Sequence, residues 1–214
     1  MSTDYAALAL VVDRSGSMHS IATDVVGSVK QFIGDQKKKE GKALLTVAQF
    51  DHTYEVIHKN KDIKEVDEEK FANDYCPRGS TALLDAIGRA TLAMKQEIDA
   101  MTLENRPKRV VIAIITDGYE NSSKEYNLTQ IKEMIKQHET LGWDFMFLGA
   151  SLDANKIAEN MGFAASKSAA FSTSCFKDSM QLISNQVTKA RVGQVLEISQ
   201  AERDQLVKNS KTGG

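Results

Sequence analysis

Apolar positions along the chain follow two rhythms. Residues 5–12 read Tyr-Ala-Ala-Leu-Ala-Leu-Val-Val and residues 110–115 read Val-Val-Ile-Ala-Ile-Ile, with no polar alternation. Runs this short and this uniform predict strands buried on both faces, as in a parallel sheet. Residues 43–50 and 143–148 read as further strands. Residues 53–58 return after the short turn Asp51-His52, so 43–58 is expected to be an antiparallel hairpin. Between the strands the spacing turns helical. Ile21, Val25, Val26, Val29, Phe32 and Ile33 predict a helix over 19–39, and Leu83, Leu84, Ile87, Ala90, Leu92 and Met94 predict one over 83–101. Asn127 is placed to cap a helix over 128–140 that Gly142 ends. Helices are also predicted over 154–161 and 176–191, the second capped by Thr173 or Ser174, with a last strand in 163–171. Residues 59–74 are charged and weakly patterned, which predicts a solvated connection with one helical turn near 68–72. The pattern divides the chain into a domain over 1–192 and a polar extension over 193–214, partly helical (197–208) and disordered at its end.

Two of the buried runs end in an acid. The first leads into Asp13-Arg14-Ser15-Gly16-Ser17, and the second into Thr116-Asp117-Gly118. In open α/β sheets, ligands bind outside the carboxyl ends of the strands, so these loops are where a site is expected. Asp13, Ser15 and Ser17 alternate along their loop and can aim three oxygens at one point, the hard donors that Mg²⁺ takes. The same serines can instead cap the following helix, and residue spacing leaves both readings open. Asp153 likewise reads as an acidic ligand or a helix cap.

A third stretch, Cys76-Pro77-Arg78-Gly79-Ser80-Thr81, is a loop leading into a helix. Together the three pieces resemble the metal-ion-dependent adhesion site (MIDAS) of the von Willebrand factor A fold. That resemblance implies a doubly wound α/β domain, its central sheet mostly parallel with one antiparallel edge strand and helices on both faces. It implies metal ligation by Asp13, Ser15, Ser17, Thr81 and Asp117. The implied ion is Mg²⁺, with Mn²⁺ or Ca²⁺ as substitutes. The implied partner is a protein whose Asp or Glu carboxylate completes the metal shell. Arg14, Met18, Arg78, Tyr119 and Glu120 share these loops and are expected to frame the docking surface. The phrases Thr116-Asp117-Gly118-Tyr119-Glu120-Asn121-Ser122-Ser123 and Phe147-Leu148-Gly149-Ala150-Ser151-Leu152-Asp153-Ala154 resemble the stand-alone bacterial and bacteriophage branch of these proteins.

Composition narrows the alternatives. With 214 residues, 42% hydrophobic and 26% charged, the chain suits one ordinary globular domain. A net charge of −2 gives no basic footprint, so nucleic acid is not an expected partner. No apolar stretch approaches the roughly 20 residues that span a bilayer, and no signal-like segment opens the chain, so neither membrane insertion nor export is expected. Cys76 and Cys175 stand far apart and read as reduced thiols, which points to a cytoplasmic setting. An enzyme is the opposing class. Against it, His19, His52, His58 and His138 form no cluster in sequence, Cys76 has no evident histidine partner, and no glycine-rich phosphate loop occurs. The remaining alternatives are a metal-dependent hydrolase and a structural or homo-oligomeric subunit whose metal only pins loops, and the oligomeric state is open.

Overall fold

Strand β1 (Ala6–Asp13) is buried along its whole length, and the computed structural model builds outward from it on both sides. The structure describes residues 5–151 and 153–207. On one side lies β2 (Ala43–Phe50), parallel to β1, with Ala6 opposite Ala43 and Asp13 opposite Phe50. Antiparallel to β2, and at the sheet's edge, is β3 (Tyr54–Asp62). On the other side come β4 (Arg109–Thr116), β5 (Trp143–Gly149) and β6 (Ser168–Ala170), all parallel. The six-stranded order is β3-β2-β1-β4-β5-β6, a mostly parallel sheet with one antiparallel edge.

Side chains alternate across a strand, and β1 therefore feeds two cores. Leu8, Leu10 and Val12 join Val25, Val29 and Ile33 of α1 (Ala22–Lys37) and Phe176, Ile183 and Val187 of α6 (Phe176–Arg191). Ala7, Ala9 and Val11 face the other way, with Ile87 and Ala90 of α3 (Leu83–Asp99) and Ile131 and Ile135 of α4 (Leu128–Thr140). The capping residue of α4 is Asn127, in a reciprocal pair with Gln130. Helix α5 (Ala154–Met161) covers the same face and ends at Gly162, whose φ of 93° a side-chain-bearing residue would resist.

Four stretches differ from the sequence expectation. A 3-10 turn, Gly16–Ile21, precedes α1, so the loop after β1 tightens before the helix starts. Residues 59–74 are not simply solvated. There β3 continues to Asp62, helix α2 (Glu68–Asp74) is capped by Asp67, and Ile63, Val66, Phe71 and Tyr75 are buried. Their irregular spacing fits neither a helical nor a strand period, which is why pattern reading misses them. The last strand shrinks to three residues behind a 3-10 turn over Ala165–Lys167, with Phe163 and Phe171 packed in opposite cores. Thr173 and Ser174 make no side-chain cap, and Cys175 occupies that position.

Beyond Gly193 the described chain packs closely. Leu196, Ile198 and Leu206 are buried in the α1–α6 core, and α7 (Gln200–Val207) sits against β6 with the Arg203 guanidinium donating to the Ser168 carbonyl at 3.2 Å. Residues 208–214, which include the expected disordered end and the Lys208 limit of the predicted helix, lie outside the described residues.

Candidate functional site

The sheet order reverses between β1 and β4, since the chain winds from β1 toward β3 and later from β4 toward β6. Such a switch point opens a crevice at the carboxyl ends of the two strands. Asp13 ends β1 there, and Asp117 follows Thr116 at the end of β4.

Asp13 is fully buried. One of its carboxylate oxygens accepts the Ser15 backbone N–H at 2.6 Å, and the other accepts the Thr116 hydroxyl. Ser15 Oγ lies 3.1 Å from Ser17 Oγ, and the Ser17 hydroxyl donates to Asp117 Oδ1 at 2.6 Å. The fifth oxygen is located by Gly118. A methyl group built on that glycine would stand 2.8 Å from Thr81 Oγ1 and 3.5 Å from Asp13 Oδ2. Glycine there leaves a cradle between the two oxygens that any side chain would fill. The structure thus gathers Asp13, Ser15, Ser17, Thr81 and Asp117 at one place. Ser15 occupies the N-cap position of the 3-10 turn but makes no side-chain cap bond, and its hydroxyl turns toward Ser17 instead.

Electrostatics sets this cluster apart. Burial pushes Asp13 up to about 6, against the hydrogen bonds from Thr116 and Ser15, and the neighbouring Asp117 charge adds to the rise. Burial also raises Asp117, opposed by the Ser17 hydroxyl. Among the described residues no Lys, Arg or His forms an ion pair with either acid. Nor do the described residues offer a group of three His, Cys, Asp or Glu, so the donor set is two carboxylates and three hydroxyls. All five are hard oxygen donors, the kind that Mg²⁺ or Ca²⁺ accepts.

The loops are stitched to one another by bonds that sequence reading missed. The Thr81 N–H donates to Asn121 Oδ1 at 2.8 Å, and the Asn121 N–H donates back to the Thr81 carbonyl at 3.0 Å. Gly16 N–H donates to the Gly79 carbonyl at 3.1 Å, and the Tyr75 hydroxyl donates to the Asp13 carbonyl at 2.8 Å. Beside them Asp51, fully buried, accepts Arg14 Nε at 2.9 Å and Arg78 Nε at 3.0 Å, while Arg14 also pairs with Glu55. None of these partners is near another in sequence. Only the acid closing a strand-end turn at Asp51 offers a local hint.

The expected docking surface changes accordingly. Arg14 and Met18 are buried, Arg14 in its ion pairs and Met18 in the α1 core, so neither can meet a partner. Glu120 turns inward: its carboxylate accepts the backbone N–H groups of Leu84, Ser122 and Ser123 and the Ser123 hydroxyl, which ties its loop to the start of α3. Arg78 is exposed with its guanidinium on Asp51, and Tyr119 stands 55% exposed at the crest of its loop. Asp153 precedes α5 without a side-chain cap bond.

Comparison with known proteins gives the fold a family. The profile of the von Willebrand factor type A domain matches residues 7–186. A search of curated proteins returns no match. Among solved structures, the vWF domain of the type V pili tip protein Mfa5 from Porphyromonas gingivalis is 11% identical at a TM-score of 0.69, over 93% of this chain and 99% of that one. Proximal thread matrix protein 1 from the mussel byssus is 15% identical at 0.63, over 86% of this chain. The chain spans 46% of the length of that mussel protein, which is also known with a zinc-occupied MIDAS motif. Manganese-loaded TRAP protein from Plasmodium vivax is 14% identical at 0.57, over 86% of this chain and 73% of that one. At such identities the likeness is one of fold.

Proposed function

The chain belongs to the von Willebrand factor type A family, and from that premise we propose that it is a metal-ion-dependent protein-recognition module. Asp13, Ser15, Ser17, Thr81 and Asp117 would hold Mg²⁺, and a carboxylate of a partner protein would complete the shell. The observation that carries this reading is the gathering of two raised carboxylates and three hydroxyls at the switch point, with no cation from the described chain to balance them. Two relatives, described as manganese-loaded and as having a zinc-occupied MIDAS motif, support a metal in this fold. When bound, such an ion supplies a positively charged position where an outside carboxylate can replace water. The chain's own residues supply position. Gly118 leaves room between Thr81 and Asp13, Thr116 orients the Asp13 carboxylate, and Asn121 fixes the loop that presents Thr81. The cluster includes no histidine, lysine or cysteine, which favours binding over turnover. A cytoplasmic setting belongs to the same reading, supported by the free thiols of Cys76 and Cys175. The test is capture of a partner by immobilised protein with Mg²⁺, with EDTA, and with Asp13→Ala. Capture by the Mg²⁺-loaded wild type alone is expected, and equal capture in all three arms would overturn the proposal.

A further inference from the structure

Arg78 stands beside the five gathered oxygens on a fixed footing. Its backbone N–H donates to the Arg14 carbonyl at 2.7 Å, which sets it next to Ser15, and the following Gly79 carbonyl accepts the Gly16 N–H at 3.1 Å. Thr81 lies three residues further along the same loop. The Arg78 side chain is 56% exposed, yet its Nε is fastened to the fully buried Asp51 at 3.0 Å. Held by Nε, a guanidinium keeps its Nη1 and Nη2 groups side by side, the fork that meets a carboxylate through two parallel bonds. Nothing among the described residues takes a hydrogen bond from either Nη group. An exposed arginine ordinarily loses side-chain freedom when it binds, and the bond to Asp51 has already removed much of that freedom.

The acids around Arg78 are already engaged. Asp51 is shared with Arg14, and Glu55 is held by Arg14 and by the Gln49 amide at 3.1 Å, so two arginines and two carboxylates balance. The backbone between the serines and Arg78 is bare. Gly16 and Gly79 meet there, and a methyl group built on Gly79, whose φ is +68°, would stand 2.3 Å from His52 Nδ1. A side chain is thus excluded at residue 79, and a peptide can lie close to the chain between the serine loop and the fork. We propose that Arg78 is a second anchor for the partner, taking a carboxylate that neighbours the one completing the metal shell. The segment recognised is then acidic, with two Asp or Glu residues close in sequence. This contact rests on the recognition reading, because the first carboxylate needs the metal.

The test is an NMR titration of the full chain, loaded with Mg²⁺, with Gly-Ser peptides carrying one Glu, two Glu separated by one residue, or two Glu separated by three. The better two-Glu peptide is expected to bind about tenfold more tightly than the one-Glu peptide, the worth of one charge-assisted contact. Arg78→Ala should reduce that advantage to twofold or less while leaving Mg²⁺ affinity and one-Glu binding unchanged. Lys124→Ala, which removes an exposed charge from the rim shared with His52, should keep the advantage and so separates the fork from general attraction. Two-Glu peptides that bind no more tightly than the one-Glu peptide, or an advantage that survives in Arg78→Ala or disappears equally in Lys124→Ala, would overturn the proposal while Mg²⁺ uptake left the metal reading intact. A wild type that takes up no Mg²⁺ would overturn both.

Discussion

Two fully buried aspartates sit at the ends of neighbouring strands and solve the same problem differently. Asp51, just past β2, lies against two guanidiniums and takes a hydroxyl and a backbone N–H from Thr53. Burial would raise its carboxyl, but Thr53, Arg78 and Arg14 together hold it below the usual range. Asp13, at the end of β1, has only neutral donors among the described residues, and burial carries it up to about 6 with a second acid close by. The difference lies in the source of the counter-charge. Asp51 finds its cation within the chain and fastens the β2–β3 turn to the loop after β1, through Arg14, and to the loop between α2 and α3, through Arg78. Among the described residues Asp13 finds none, and a buried charge left unbalanced is costly unless it takes up a proton or a cation. One acid is a finished pin, and the other is a buried carboxylate with a raised pKa and no cation beside it among the described residues.

The largest consequence should appear on removing each acid. Asp51→Ala leaves the buried Arg14 with Glu55 as its remaining counter-charge, and breaking a buried pair in this way should cost up to about 3–5 kcal/mol. Asp13→Asn instead removes an unbalanced charge, and the Thr116 hydroxyl can turn to accept from the new amide. In EDTA it should change stability by less than about 1 kcal/mol or raise it. Urea unfolding of both variants measures the contrast, and equal losses would erase it.

Next in size is the pH dependence without metal. Between its unfolded value near 3.9 and its folded value of about 6, Asp13 holds a proton in the folded state that the unfolded state releases. Stability therefore falls as pH rises through that window, by up to about 3 kcal/mol. Asp51 has the opposite sign: its folded carboxyl is lowered, so its contribution is lost as pH falls. Urea midpoints in EDTA from pH 4 to 7 should show the Asp13 slope in wild type and lack it in Asp13→Asn. A wild type as steep as the variant would break the assignment.

Smaller effects sharpen the picture. Asn121→Ala removes the acceptor of the Thr81 N–H and should cost about 1 kcal/mol of stability while weakening Mg²⁺ binding. Calorimetry would show the second effect, and undiminished affinity would remove Asn121 from the account. Arg78→Ala should change stability least, since its guanidinium is exposed to water and Arg14 still balances Asp51.

The same contrast separates what the sequence reveals from what it hides. Uninterrupted apolar runs predict β1 and β4, and the cap at Asn127 predicts the start of α4, because those signals lie within a few residues of their effect. The strand ends point to Asp13 and Asp117, and the resemblance brings in Thr81; the fold gathers all three with Ser15 and Ser17. The pairing of Arg14 with Asp51 spans a helix and a strand, so the loop position of Arg14 gives no sign that it is buried. Glu120 is tied down in the same way, since the donors to its carboxylate lie at the start of α3 and in its own turn. Ile63, Val66, Phe71 and Tyr75 went unseen because no regular period joins them.

The central proposal is that Asp13 and the oxygens gathered beside it bind a divalent cation. Isothermal titration of Mg²⁺ into metal-stripped wild type and Asp13→Ala at neutral pH tests it most directly. The account predicts a single saturable site in the wild type, lost in the variant and weakened as pH falls below about 6, where Asp13 takes up its proton. No binding to the wild type, or the same binding to both proteins, would contradict it.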